Sequence, residues 1–141
     1  TLNRAAAEAI RPYEIHACTD VTGFSLMGHG LEMAEGSSVS LRIHPSRIDI
    51  IPEALELAKM GIIPEGAYRN REFAEAKSDL GDTPLEMADV LFDPQTSGGM
   101  LIAAAPKDAD QVYEALLHAV PSAQRIGVVT ERKEKSIILC E

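Results

Sequence analysis

Tryptophan is absent from this 141-residue chain, and three tyrosines and three phenylalanines are its whole aromatic complement. A platform for stacking bases is therefore missing. Basic residues are also scarce: 13 Lys and Arg stand against 22 Asp and Glu, for a formal charge of −9. Phosphate backbones are held by clustered Lys and Arg, so a nucleic-acid partner is disfavoured, and an anionic substrate would need a metal or backbone donors. Two cysteines, Cys18 and Cys140, are too few for a disulfide framework and show no CxxC pair or zinc spacing. No apolar run approaches the roughly 18 to 20 residues of a membrane span, and no basic segment leads into an apolar signal core. A membrane role is therefore not expected and a cytoplasmic setting is favoured.

What is present suits a folded domain. Apolar residues make up 45% and charged residues 25%, close to ordinary globular usage, and the length allows one genuine core without disulfides. The chain begins at Thr1 inside the helical pattern LNRAAAEAI, which suits a domain cut from something longer.

Periodicity divides the chain into alternating elements. Leu2, Ala6, Ala9 and Ile10 predict a helix over 2–11, closed by Pro12. Ile15 to Cys18 alternates as a short strand ending at Thr19-Asp20. Met27, Leu31 and Ala34 predict a helix over 25–35 with Ser25 as N-cap and Gly36 as stop; Gly28 and Gly30 within it ask for close packing. Val39 to Ile43 reads as a strand, and Pro52 to Met60 as a helix stopped by Gly61. Residues 62–82 read as a long connection holding one short helix. A helix over 84–90, a buried strand in MLIAAA and an amphipathic helix over 108–120, with Val112, Leu116 and Ala119 on one face, follow. Two closing strands, 125–130 and 136–139, are expected to pair as a hairpin across ERKEK. Because those strands lack a crossover helix, the expected fold is α/β (α+β): a layered domain with a mixed β-sheet covered by helices.

Two loops carry the residue types of chemistry. TDVTG (19–23) and DPQTSGG (93–99) each combine Asp, hydroxyls and glycine. Glycine lets backbone N–H groups approach a phosphate, hydroxyls donate, and Asp offers hard oxygen to Mg²⁺. Loops that open onto helix N-termini attract anions as well. The same residues also build turns and N-caps, so composition alone leaves both readings open. Neither loop matches GxxxxGK[ST], which argues against a Walker-type site. His16 and His29 read as packing or supporting residues, and His44 and His118 as surface residues. Cys18 reads as a small buried side chain, since no cation adjoins it to stabilise a thiolate. Asp89 reads as an ordinary exposed helix carboxylate.

Taken in order, CTDVTGFSLMGHGLEMA, GAYRN and LFDPQTSGGMLIA resemble the C-terminal domain of the selenophosphate synthetase (selenide, water dikinase) family over nearly the whole chain. That family lies in the wider superfamily of aminoimidazole ribonucleotide synthetase, thiamine-monophosphate kinase and a hydrogenase maturation factor. The resemblance implies a fold like the C-terminal domain of aminoimidazole ribonucleotide synthetase, and one domain, 1–141, of a two-domain homodimeric enzyme. It implies a reaction taking ATP, selenide and water to selenophosphate, AMP and phosphate, with Mg²⁺ on the polyphosphate. Most ATP and metal ligands, and a mobile segment with a catalytic Cys or selenocysteine and a Lys, belong to the N-terminal domain; Cys18 does not match that Cys, and no catalytic residue is expected in this chain. By the resemblance, Asp20 reaches the Mg²⁺ and phosphate site, Thr19, Thr22 and Gly23 shape its loop, and Gln95, Thr96, Ser97, Gly98 and Gly99 line the same cleft. Asn70 matches a family position without an assigned role, and Ser25 stands where many relatives read Gly. Two alternatives accompany this reading: a sibling ATP-dependent enzyme of the superfamily, and a non-catalytic interaction module.

Overall fold

The computed structural model describes residues 3–141. Of the first apolar stripe, Ala6 and Ile10 form the buried side of helix α1 (Arg4–Ile10), and Leu2 lies outside the described residues. Strand β1 (Ile15–Asp20) keeps Thr19 and Asp20 in register with Leu101 and Met100 of the antiparallel β4 (Met100–Ala104). These two strands make a ribbon of their own. With no further strand beside it among the described residues, every residue of β4 is half-buried, where the apolar run MLIAAA suggests full burial. Cys18 and His16 likewise sit on the exposed side of β1, contrary to the packed positions expected of them.

The second sheet is mixed. Its order is β3 (Ser78–Asp79), β6 (Ile137–Leu139), β2 (Val39–Ile43), β5 (Gly127–Glu131). Strand β6 runs parallel to both β3 and β2, while β5 is antiparallel to β2. The expected hairpin of the last two strands is therefore split, with β2 lying between them. Ser40 explains the split: its buried hydroxyl accepts from Lys133 N at 2.8 Å and donates to Lys135 O at 2.7 Å. The charged ERKEK segment is thereby fastened across β2 instead of turning tightly.

Helix α2 (Ser25–Gly36) lies on this sheet, burying Met27, Leu31 and Ala34 against Leu41, Ile43, Ile137 and Leu139. Its first residue, Ser25, is fully buried with φ +69°, a left-handed conformation that favours glycine. Phe24 holds the capping position, yet the Ser25 hydroxyl accepts from Gly28 N at 3.3 Å, the i to i+3 bond expected of an N-cap. Helix α3 (Pro52–Lys59) starts on Pro52 and ends at Gly61 (φ +75°), with Gly61 N donating to Ala58 O and Ile62 N to Leu57 O. That pair of bonds is a Schellman motif.

Residues 62–82 depart most from expectation. They form helix α4 (Glu65–Ala74), ten residues long, then a short 3₁₀ turn and β3. Helix α5 (Leu85–Leu91) follows as expected, but its Asp89 is only 9% exposed. Helix α6 (Ala109–Ala119) packs on α1 through Val112; Leu116 is half-buried and Ala119 is exposed, so its buried stripe is narrower than the periodicity suggests.

Candidate functional site

The antiparallel ribbon decides where the two loops meet. TDVTG spans the end of β1 and PQTSGG precedes the start of β4, so pairing the strands brings the loops side by side. Val21 N donates to Gly99 O at 2.8 Å, and Gln95 N donates to Thr22 O at 3.0 Å. Gly98 makes the approach possible: a Cβ built on it would stand 2.1 Å from Val21 O, a distance no side chain tolerates. Ser97 turns through φ +54°, and Asn3 Nδ2 donates to Gly98 O at 3.1 Å from the start of the chain.

Asp20, the last residue of β1, is exposed; Val21 beside it is 8% exposed and anchors the loop. Thr19 donates to the backbone oxygen of Asp20 at 3.1 Å. Thr22 Oγ1 lies 3.0 Å from His29 Nε2, whose other ring nitrogen is 3.1 Å from Glu32 Oε2. His29 thus supports the loop from α2. Gly23, Thr96, Ser97 and Gly99 are exposed, while Gln95 and Gly98 are half-buried.

Asp93 differs from Asp20. Burial raises its carboxyl above the usual range, opposed by the Gln95 amide, which donates to Asp93 Oδ2 at 2.7 Å. The Gln95 side chain is thereby occupied within its own loop. The Cys18 thiol is raised by desolvation and then by the neighbouring Asp20 charge, so it stays protonated near neutrality. Among the described residues, no cluster of three or more His, Cys, Asp or Glu is arranged to hold a metal ion. A groove of about 410 Å³ borders the loops at Val21, Gln95 and Gly99, and aliphatic residues such as Ile51, Leu57 and Ile62 form much of its lining. Such a surface suits apolar packing better than polyphosphate.

Helix α4 is the helix expected within residues 62–82, but periodicity gives neither its place nor its supporting role. Gly66 lies against Pro94, where an added Cβ would come within 2.8 Å of the ring. Asn70, 6% exposed, donates from Nδ2 to Gly23 O and to Phe92 O, each at 3.0 Å. Arg71 pairs with Asp89 at 3.0 Å and lays its guanidinium 5.2 Å over the Phe92 ring. Asp89 is therefore a buried ion-pair partner and not a free surface carboxylate. The GAYRN motif is the sequence signal for Asn70; nothing in sequence joins Asp89 to Arg71.

Comparison with known proteins agrees with the motif reading. The family model described as AIR synthase related protein, C-terminal domain, matches residues 1–140. Among curated proteins, a selenide, water dikinase of Clostridium botulinum (strain Eklund 17B / Type B) is 45% identical over 140 residues, covering 99% of this chain and 41% of its own. Selenide, water dikinase 2 of Peptoclostridium acidaminophilum is 42% identical over 139 residues, with 98% and 40% covered. A third, from Pelobacter propionicus, is 44% identical over 140 residues. The chain spans about two-fifths of the length of these relatives.

Proposed function

The chain belongs to the AIR synthase related protein C-terminal domain family, and from that premise we propose that it is the C-terminal domain of a two-domain selenide, water dikinase. In that role the full-length protein converts ATP, selenide and water to selenophosphate, AMP and phosphate, and this domain contributes one wall of a composite Mg²⁺-ATP site. The observation that carries the reading is the docking of the 19–23 and 93–99 loops, with the exposed Asp20 at the end of β1. Relatives of that printed name at 42% to 45% identity support it.

The residues present fit Mg²⁺ in a limited way. Asp20 offers hard oxygen, and an octahedral ion that keeps waters and phosphate oxygens needs only one or two carboxylates from protein. With no metal cluster among the described residues, the remaining ligands come from substrate, water and the N-terminal domain. When bound, Mg²⁺ supplies positive charge against the polyphosphate. Asp20 would hold the cation on this wall of the cleft, and Gly98 keeps the partner loop within reach of it. Thr96 and Ser97, both exposed, provide hydroxyl donors for phosphate oxygens. Half of such a site positions nothing, so the domain alone is inactive. The enzyme works as a homodimer, as its family resemblance implies, and in the cytoplasm, the setting its sequence favours.

The test compares the full-length protein with the isolated chain, following AMP formation from ATP with and without selenide. The full-length protein is expected to form AMP only with selenide, and the isolated chain to form none. AMP formation by the full-length protein that ignores selenide would point to a sibling ATP-dependent enzyme. Turnover by the isolated chain at a comparable rate would refute the composite site.

A further inference from the structure

We infer that Asn70 is a positioning residue: a clamp on helix α4 that holds the Asp20 loop and the 93–99 loop in one fixed arrangement. The inference rests on the reading of Asp20 given above for its effect on turnover, while the clamp itself rests on geometry alone. Asn70 is 6% exposed, and its single amide nitrogen carries two N–H donors. One goes to Gly23 O, which closes TDVTG; the other goes to Phe92 O, immediately before DPQTSGG. Both partners can only accept, so the amide nitrogen must face them.

The rest of α4 is already fixed to the second loop. Gly66 seats Pro94, and Arg71 holds Asp89 and covers Phe92. Asn70 extends that attachment to the first loop, adding a side-chain tie to the two backbone bonds between the loops. Few side chains serve. Aspartate would set a carboxylate oxygen against two carbonyl oxygens, serine has one donor, and alanine leaves the buried Phe92 carbonyl without a partner and releases Gly23.

The test uses the full-length protein with Asn70→Asp, Asn70→Ala and, as comparator, Asp20→Asn. Amide hydrogen exchange is followed in segments 19–25 and 92–99, with β2 and β6 as reference. Both Asn70 variants are expected to accelerate exchange in the two loop segments by about tenfold, with a clearly smaller effect in β2 and β6. They should also raise the Mg²⁺ concentration for half-maximal turnover and lower the thermal midpoint by a few degrees, whereas Asp20→Asn should leave exchange and midpoint as in the parent. Uniform acceleration that includes β2, or none in the loops, would overturn the clamp. Selective loop opening with an unaltered Mg²⁺ requirement would uphold the clamp and overturn its link to Asp20. Normal turnover by Asp20→Asn would count against the Asp20 reading alone.

Discussion

Gly98 and Gly99 are neighbours with opposite demands. A methyl group on Gly98 would collide with Val21 O, whereas one on Gly99 would meet nothing within 4 Å. Gly98→Ala is expected to destabilise the domain by about 1 to 3 kcal/mol through forced separation of the loops. Gly99→Ala should be neutral or stabilising by up to about 1 kcal/mol, because it restricts the unfolded chain. Urea unfolding of the two variants checks the pair, and equal costs would mean that the loops are not in close contact. At this scale the sequence is only partly legible. The TSGG wording identifies the loop, but which glycine is obligatory depends on a carbonyl contributed by Val21, far away in the chain. Asp89 is buried and Cys18 exposed, against expectation, for a related reason: spacing shows which residues share a face, not what covers that face.

Periodicity does not show where α4 lies within residues 62–82, because its buried stripe is Ala67, Asn70 and Ala74, two small residues and a polar one, while Tyr68 and Phe73 are exposed. A hydropathy pattern registers the wrong side of such a helix. Helices α2, α3 and α5 were legible because their stripes or caps are conventional: Leu31 and Met27 in α2, Pro52 and Gly61 around α3. The split hairpin was illegible because Ser40, a long-range partner, decides the path of residues 133–135.

Element packing also sets an acid limit on stability. Glu35, near the end of α2, accepts hydrogen bonds from Lys77, Ser136 and Arg132, which lower its carboxyl from 4.5 to about 2. A depressed folded-state value means that this stabilisation is complete above the unfolded value near 4.5 and is lost as pH falls towards about 2. Glu35→Gln is therefore expected to lower the thermal midpoint at pH 7 and to have a shrinking effect as pH falls through that window. Thermal melts across the range test it, and a deficit independent of pH would contradict the ion-pair origin.

Over the whole molecule, the mixed sheet covered by helices matches the fold class that its motifs and element order imply. The formal charge of −9 gives the domain little electrostatic attraction for ATP, so the proposed site depends on a cation and on a partner wall. That dependence agrees with a chain spanning about two-fifths of its relatives' length. No helix among the described residues is long and apolar enough to cross a membrane.

The most direct measurement is a Mg²⁺ titration of selenide-dependent AMP formation by the full-length protein carrying Asp20→Asn, with circular dichroism confirming the fold. Loss of one preorganised carboxylate for the ion that offsets the phosphate charge predicts a fall in turnover of about 100-fold or more that added Mg²⁺ does not restore, at an unchanged unfolding temperature. Parental turnover with an unaltered Mg²⁺ dependence would contradict it.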